Sequence, residues 1–318
     1  MGNKIIYLIS LLFILISCTT PTGNIVKDIP QENFDEIDIF FCSETNCNKL
    51  IADKISTSNK SVNCAFYNLK NNEIINSIKR KNNEIPIKLV FEEDNYKDQI
   101  TGNNIRLTKR KSWGIMHNKF CIFDDNIILT GSYNPSQKSS NYDNNLIVIK
   151  SKYLASNFND EFQELWNNEV GTGSKVKHPI IKLNNILVEN YFCPEDNCDE
   201  KIINLISKAE KSIYFMAFSF TSEQIADQIL FKENIEIKGV VEKQQSTNQY
   251  AQFNRLKDFG IDIKTDNNKY LMHHKVFIID SKIVITGSAN PTESGYIRND
   301  ENIIILHDKE IASQFIKE

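Results

Sequence analysis

The 318-residue chain has few glycines and prolines, no excess of positive charge and no long apolar run. Its 11 glycines and 7 prolines are too few for a collagen-like or low-complexity protein. With 37 Lys and Arg against 41 Asp and Glu, the formal charge of −4 argues against a protein held on nucleic acid by bulk charge, though not against a local basic groove. Hydrophobic residues make up 41% and charged residues 25%, so the chain is globular, and its length suggests about two domains.

The apolar run at the N-terminus, from Ile5 to Ile16, is shorter than the roughly 20 residues that cross a membrane. It fits the apolar region of a secretory signal. The sequence Leu15-Ile16-Ser17-Cys18 resembles the lipobox of bacterial lipoproteins, which implies cleavage before Cys18 and acylation of that cysteine. We therefore expect a signal peptide over 1–17, a tether over 18–34 and a protein lipid-anchored in the bacterial cell envelope, outside the cytoplasm. An ordinary signal peptide or an uncleaved anchor is the alternative.

The other six cysteines form two C-x4-C pairs and two lone positions: Cys42 with Cys47, Cys193 with Cys198, and Cys64 and Cys121. Because an exported protein meets an oxidising compartment, we predict a small-loop disulfide within each C-x4-C pair. A zinc site built from both pairs is the alternative, and it would require the pairs to converge in space. The lone cysteines sit in apolar, strand-like runs and are predicted to be buried small hydrophobes.

An internal repeat organises the chain. Two segments recur in the same order, at offsets of 151 and 156 residues: Phe41–Cys47 as Phe192–Cys198, and Met116–Lys119 as Met272–Lys275. The body is therefore predicted to be two copies of one unit, over 35–170 and 181–318, joined by a Gly-rich linker over 171–180. Strands alternate with helices in each copy, which predicts an α/β fold with largely parallel or mixed sheets covered on both faces.

Each copy carries the same polar pattern inside an apolar hairpin. The first reads His117-x-Lys119-x4-Asp124-x6-Gly131-Ser132-x-Asn134, and the second reads His273-x-Lys275-x4-Asp280-x6-Gly287-Ser288-x-Asn290. Since side chains alternate along a strand, the His and the Lys of each copy point to one face. A histidine beside a fixed cation makes a poor core, but it suits a phosphate site in which the ring acts as nucleophile or acid.

These motifs are similar to the hallmark of the phospholipase D superfamily, H-x-K-x4-D followed by G-S-x-N. The resemblance covers most of 35–318 and implies two α/β halves packed about a pseudo-twofold axis, with one active site at their junction. It implies a reaction without metal or cofactor, in which one His attacks phosphorus and the other protonates the leaving oxygen. The groups implied to hold the phosphate oxygens are Lys119, Lys275, Ser132, Asn134, Ser288 and Asn290. Asp124 and Asp280 belong to the catalytic motif, but we expect them to brace the hairpins.

The two copies differ downstream of the motif. The second has Glu301 at the family's acidic position, where the resemblance implies that it orients a histidine, and the first has Asn144 there. Because a carboxylate behind an imidazole favours the protonated ring, we predict His273 as the general acid and His117 as the nucleophile.

The sequence predicts a phosphodiesterase, and the substrate is its open question. Membrane tethering and a net negative body narrowly favour hydrolysis of phospholipid headgroups. Basic runs at 79–81 and 106–111, which would line a groove for a polyanion, keep an endonuclease for DNA or RNA as the alternative. A non-catalytic phosphate-binding surface lipoprotein is the second alternative, supported only by Asn144. Since one chain holds both motifs, we expect a monomer.

Overall fold

The computed structural model describes residues 28–33, 37–98, 100–108 and 114–318. The predicted signal peptide, Cys18 and most of the predicted tether lie outside these residues. Within them, no helix is both long enough and apolar enough to span a bilayer.

The first half is a seven-stranded mixed sheet. Its strands, in spatial order, are β2 (Ile37–Phe41), β8 (Asn145–Lys150), β7 (Ile127–Gly131), β6 (Lys119–Phe123), β3 (Val62–Phe66), β4 (Ile87–Glu92) and β5 (Ile105–Thr108). Its helices are α1 (Cys47–Thr57), α2 (Asn72–Lys81) and α3 (Lys152–Trp166). The pairs β3–β4 and β4–β5 are parallel and the others are antiparallel. The first two helices pack on one face and α3 on the other, which is why strands such as β8 are apolar on both faces.

The second half repeats this plan with two more strands. Its spatial order is β1 (Gln31–Glu32), β9 (Ile180–Leu183), β10 (Ile186–Cys193), β16 (Glu301–His307), β15 (Ile283–Gly287), β14 (Lys275–Ile279), β11 (Ser212–Ala217), β12 (Glu236–Val241) and β13 (Asp262–Thr265). Its helices are α4 (Cys198–Ser207), α5 (Glu223–Leu230), α6 (Phe253–Asp258) and α7 (Lys309–Lys317). Because β1 pairs with β9, Gln31 and Glu32 of the predicted tether lie against this half.

The helices α3 and α7 lie between the two sheets and share one hydrophobic core with both. Phe158 of α3 contacts Phe120 of the first sheet and Phe192 of the second, each with ring centroids 5.0 Å apart. Phe315 of α7 contacts Phe41 in the same edge-to-face manner at 5.2 Å. The predicted architecture of two similar α/β halves is therefore confirmed.

The halves exchange backbone hydrogen bonds at the segments that carry the motif histidines. The amide of His117 donates to the carbonyl of Asp300 (2.9 Å), and the amide of His273 donates to the carbonyl of Asp143 (2.8 Å). Such reciprocal contacts are what a pseudo-twofold axis produces. They place both histidines at the junction of the halves.

Three disulfides lie within the described residues. Those within the C-x4-C pairs confirm the prediction, and they leave none of those four thiols for zinc: Cys42–Cys47 and Cys193–Cys198. The prediction that the two remaining cysteines are lone buried hydrophobes is wrong, because Cys64 and Cys121 are bonded to each other. They stand opposite each other on antiparallel strands β3 and β6, with Cα atoms 4.1 Å apart.

Removing the cross-strand disulfide should cost more stability than removing a short-loop one. Its cysteines are 57 positions apart, against 5 in each C-x4-C pair. Loop-closure entropy then predicts a loss of about 4 kcal/mol for the long loop and about 2 kcal/mol for a short one. Equilibrium urea denaturation of Cys64→Ala/Cys121→Ala, with Cys42→Ala/Cys47→Ala as the matched control, measures the difference. Equal losses in the two double variants would contradict the prediction.

Candidate active site

The four motif side chains come together where the central hairpins of the two sheets begin. Lys119 and Lys275 are the first residues of β6 and β14, and each motif histidine precedes its lysine by two positions. Both histidines are 8% exposed, so only their edges reach solvent. The Nζ of Lys119 donates to the carbonyl of His117 (2.5 Å), and that of Lys275 to the carbonyl of His273 (2.6 Å). Each cation is thereby fixed to the segment that carries its histidine.

Burial and mutual repulsion set the charges of these groups. Burial, followed by the two lysine ammonium groups, lowers the pKa of both His117 and His273 well below the usual value for histidine. Burial also lowers the pKa of Lys119 to about 7, and burial with the neighbouring Lys119 lowers that of Lys275 well below its usual range. A buried pair of crowded cations is a site for an anion, because a bound anion restores their charged form.

A phosphate mimic should therefore bind more weakly as the pH rises. In the free protein the pKa of Lys119 is about 7, so above neutrality a dianion binds only as that lysine takes up a proton. Linkage predicts that the Kd of tungstate rises about fivefold from about pH 7 to 8, and about tenfold over the next unit. Isothermal titration calorimetry measures this slope, and Lys119→Met should make it shallower, with Lys275 left as the lysine that takes up a proton. A Kd for the unaltered protein that does not change with pH would refute the assignment.

Each motif histidine is supported by a side chain of the opposite half. His117 contacts the Oε1 of Glu301 through its Nδ1 (2.7 Å), and His273 contacts the Oδ1 of Asn144 through its Nδ1 (2.9 Å). The prediction that Glu301 supports His273 is wrong. Glu301 follows Asp300, whose backbone pairs with the segment that carries His117. The carboxyl group of Glu301 therefore lies beside the histidine of the opposite half.

The two supports differ in chemistry. The Nδ1 of His273 faces two acceptors, the amide oxygen of Asn144 and the carbonyl of Ser132 (3.1 Å), so it carries the proton and leaves Nε2 for the substrate. Glu301 is fully buried, and burial raises its pKa to about 8 even though Lys119 and neighbouring hydrogen-bond donors lower it. A carboxyl group thus lies behind one histidine and a neutral amide behind the other.

The serines and asparagines that follow the hairpins have separate surroundings. Ser132 donates to the Oδ1 of Asn144 (2.9 Å), and Ser288 accepts from the backbone amide of Asn302 (3.0 Å). Both serines are fully buried, and Ser288 also forms a hydrogen bond with the carboxyl group of Glu301, so they hold the supports of the histidines rather than face a substrate. Among the described residues, the buried Oδ1 atoms of Asn134 and Asn290 have no hydrogen-bond partner.

The glycine before each serine is required by a close approach of the backbone. Gly131 has φ +149°, and a Cβ built on it would lie 2.2 Å from the carbonyl oxygen of Asn145. Gly287 repeats the arrangement at φ +151° against Asn302. A side chain there would push apart the strands that carry the histidine supports.

The motif aspartates lie at the far ends of the hairpins, at the turns. Asp124 accepts hydrogen bonds from three consecutive backbone amides, as does Asp280: those of Asn59, Lys60 and Ser61, and those of Glu210, Lys211 and Ser212. Although burial acts to raise it, these donors hold the pKa of Asp280 below its usual value. Both aspartates therefore brace the hairpins away from the histidines.

Two aromatic residues complete the site, and sequence reasoning missed them. The ring of Tyr67 lies edge-on to His117, with centroids 4.6 Å apart, and Phe218 lies 4.7 Å from His273. The ammonium groups of Lys119 and Lys275 lie over the same two rings, at 5.1 and 4.9 Å. A signal was present, because the two aromatics follow β3 and β11 at the repeat offset of 151.

The described part of the basic run at 106–111 does not line a groove. The guanidinium of Arg106 lies over the ring of Trp166, 4.3 Å from its centroid, and so belongs to the packing of α3 on the sheet. Residues 109–113 lie outside the described residues.

Comparison with known proteins identifies the family of the chain. The family model described as cardiolipin synthase, PLD-like domain, matches residues 51–166 and 202–318. A phospholipase D of Rickettsia felis is 31% identical over 163 residues, which are 50% of this chain and 82% of that protein. The mitochondrial cardiolipin hydrolase of Canis lupus familiaris is 29% identical over 120 residues, 37% of this chain and 47% of that protein.

A solved structure shows the same fold over the whole body. The phosphatidylserine synthase of Haemophilus influenzae Rd KW20 aligns with a TM-score of 0.69 at 13% identity, and the match covers 88% of this chain and 84% of that one. Since the family model spans both halves and both motifs converge at their junction, the chain belongs to the phospholipase D superfamily and is a phosphodiesterase.

Proposed function

We propose that the chain is a phospholipase D that hydrolyses phospholipid headgroups through a phosphohistidine intermediate. The observation that carries the proposal is the buried cluster of two histidines and two lysines, in which fixed ammonium groups stand where negative charge develops on phosphorus. The relatives that bear the names phospholipase D and cardiolipin hydrolase support a lipid substrate.

In the first step, the Nε2 of His117 attacks phosphorus and the bond from phosphorus to the headgroup oxygen breaks. The phosphorylated ring becomes positive, and Glu301, whose ionised form is favoured by the charged Lys119 and Lys275, offsets that charge at Nδ1. A bound phosphodiester anion favours the protonated ring of His273, which then carries a proton on Nε2 as well as on Nδ1. That Nε2 proton passes to the leaving oxygen, and the headgroup alcohol departs. The carboxylate from which the sequence predicted an acidic His273 lies behind His117 instead, so the assignment here rests on a different ground: the neutral amide behind His273 holds the proton less firmly than a carboxylate would, and the ring gives it up more readily.

In the second step, water replaces the imidazole. His273, now neutral at Nε2, takes a proton from water, whose oxygen attacks phosphorus as the bond to the Nε2 of His117 breaks. Phosphatidic acid is released and both rings return to their starting states. Lys119 and Lys275, with Asn134 and Asn290, hold the non-bridging oxygens, so the scheme takes its positive charge from the chain itself.

One side-by-side assay tests the proposal. Residues 19–318, with and without His117→Ala, are offered labelled phosphatidylcholine, cardiolipin, and single- and double-stranded nucleic acid in EDTA. We expect formation of phosphatidic acid or its cardiolipin counterpart, lost in the variant. Cleavage of nucleic acid alone would replace the proposal with the endonuclease alternative. Turnover of none of them would favour the phosphate-binding lipoprotein.

We also propose that the protein acts as a monomer, anchored in the bacterial cell envelope through acylated Cys18. The lipobox supports the anchor, and the presence of both motifs in one chain supports the monomer. Incorporation of labelled palmitate by the full chain, absent in Cys18→Ser, tests the first point. Sedimentation of residues 19–318 tests the second.

A further inference from the structure

Six polar side chains at the junction of the halves are buried from solvent and have no part in the reaction scheme above. A polar group that is withdrawn from water costs free energy unless it is hydrogen-bonded, so six of them in one place depend on the contacts they make. Each is at most 1% exposed: Asn118, Thr130, Asn145, His274, Thr286 and Asn302.

Asn302 of the second half binds two of these side chains in the first half. Its Nδ2 donates to the Oδ1 of Asn118 (2.7 Å), and its Oδ1 accepts from the hydroxyl of Thr130 (2.8 Å). The Nδ2 of Asn118 in turn donates to the Oε1 of Glu161 on α3 (3.0 Å). Asn302, Asn118 and Thr130 form what we term the first clamp.

Asn145 of the first half makes the reciprocal contacts in the second. Its Nδ2 donates to the hydroxyl of Thr286 (3.1 Å), so its Oδ1 faces the Nδ1 of His274 (3.1 Å), which donates to it. His274 and Thr286 stand at the positions of Asn118 and Thr130 in the repeat, at an offset of 156 residues. Asn145, His274 and Thr286 form the second clamp.

The first clamp lies one residue beyond the contact between Glu301 and His117. Glu301 and Asn302 are consecutive residues of β16. Their partners in the first half, His117 and Asn118, are consecutive as well. Because consecutive side chains of a strand point to opposite faces, the two contacts hold the segment of His117 from two sides and fix the orientation of its ring as well as its position. The second clamp repeats this arrangement one residue beyond the amide that supports His273.

We propose that Asn302 and Asn145 are positioning residues, each of which aligns the motif histidine of the other half with the substrate phosphorus. The first clamp aligns His117 and so governs formation of the phosphohistidine. The second clamp aligns His273 and so governs its hydrolysis. A misplacement of about 1 Å at a reacting group can cost about 10²-fold in rate. The inference rests on the proposed two-step reaction and adds the residues that set its geometry.

The two clamps should act on different steps. A nitrophenyl phosphodiester is mixed with the protein over residues 19–318 in a stopped-flow instrument, which measures the first turnover and the steady-state rate separately. Asn302→Ala should slow formation of the phosphohistidine at least tenfold. Asn145→Ala should leave that rate within about twofold, because nitrophenolate leaves without a proton, and should slow hydrolysis of the adduct at least tenfold.

The repeat supplies a conservative variant. His274→Asn gives the second clamp the same pair of asparagines as the first and should keep the steady-state rate within about threefold, whereas His274→Leu cannot form the hydrogen bond and should lower that rate at least tenfold. Asn157→Ala is the matched control, because Asn157 is also a buried asparagine but binds the backbone of His178 in the linker. It should leave both steps unchanged.

The outcomes separate the clamps from the reaction scheme. Equal slowing of both steps by Asn302→Ala and by Asn145→Ala, or slowing of neither step, would overturn the inference and leave the phosphohistidine scheme in place. If an alanine variant does not fold, Thr130→Val and Thr286→Val remove only a hydroxyl from each clamp and should show the same selectivity at about threefold. Turnover by the unaltered protein without a phosphohistidine would refute the scheme, and the roles of the clamps with it.

Discussion

The His273→Ala variant should release one equivalent of nitrophenolate from a nitrophenyl phosphodiester and then nearly stop. Nitrophenolate leaves without a proton, so attack by His117 still proceeds. The second step needs His273 to take a proton from water, and the phosphohistidine therefore accumulates. Loss of a positioned acid and base should lower the steady-state rate by about 10²–10⁴-fold. A stopped-flow burst, with phosphohistidine found at residue 117 by mass spectrometry, measures the effect.

The reciprocal variant is the control for this experiment. His117→Ala lacks the nucleophile and should show neither a burst nor a covalent adduct, although both rings are equally buried in the unaltered protein. A burst in His117→Ala together with its absence in His273→Ala would reverse the two roles. That outcome would leave the phosphohistidine scheme intact and would refute only the assignment drawn from Glu301.

Glu301→Gln should lower kcat about 10²-fold while leaving KM nearly unchanged. The carboxylate offsets the positive charge of the phosphorylated His117 ring, and an amide of the same shape does not; the loss corresponds to about 2.7 kcal/mol of transition-state stabilisation. Steady-state kinetics on the lipid substrate measure the split between kcat and KM. Glu301→Asp should recover part of the rate, because it restores a carboxylate, although the shorter side chain places that carboxylate farther from the Nδ1 of His117. An unchanged kcat in Glu301→Gln would rule out this role.

The matched change in the other half is Asn144→Asp. A carboxylate behind His273 favours its protonated form and raises the pKa of the ring. Activity that requires protonated His273 falls as the pH rises through that pKa, so the alkaline fall of kcat/KM should move to higher pH in the variant. An alkaline fall of kcat/KM at the same pH in both proteins would show that Asn144 does not set the pKa of His273.

Local patterns in the sequence were sufficient to predict the motif residues and the short disulfides. The alternation of side chains along a strand places His117 and Lys119 on one face, whatever the rest of the fold does. The C-x4-C spacing holds both cysteines of a pair within reach of each other. The repeat shows that there are two halves, and the motifs with their family resemblance show the chemistry they carry.

Contacts between distant segments depended on the tertiary structure alone. Cys64 and Cys121 are 57 positions apart and meet only because β3 and β6 pair in one register. His117 and Glu301 are 184 positions apart. They meet because each half places the side chain that supports the motif histidine of the other half, across the pseudo-twofold axis. Register and symmetry are properties of the assembled sheets, which no single segment encodes. For the same reason, the sequence was sufficient to predict which groups perform the chemistry, and the tertiary structure decided that a carboxyl group lies behind His117 and a neutral amide behind His273.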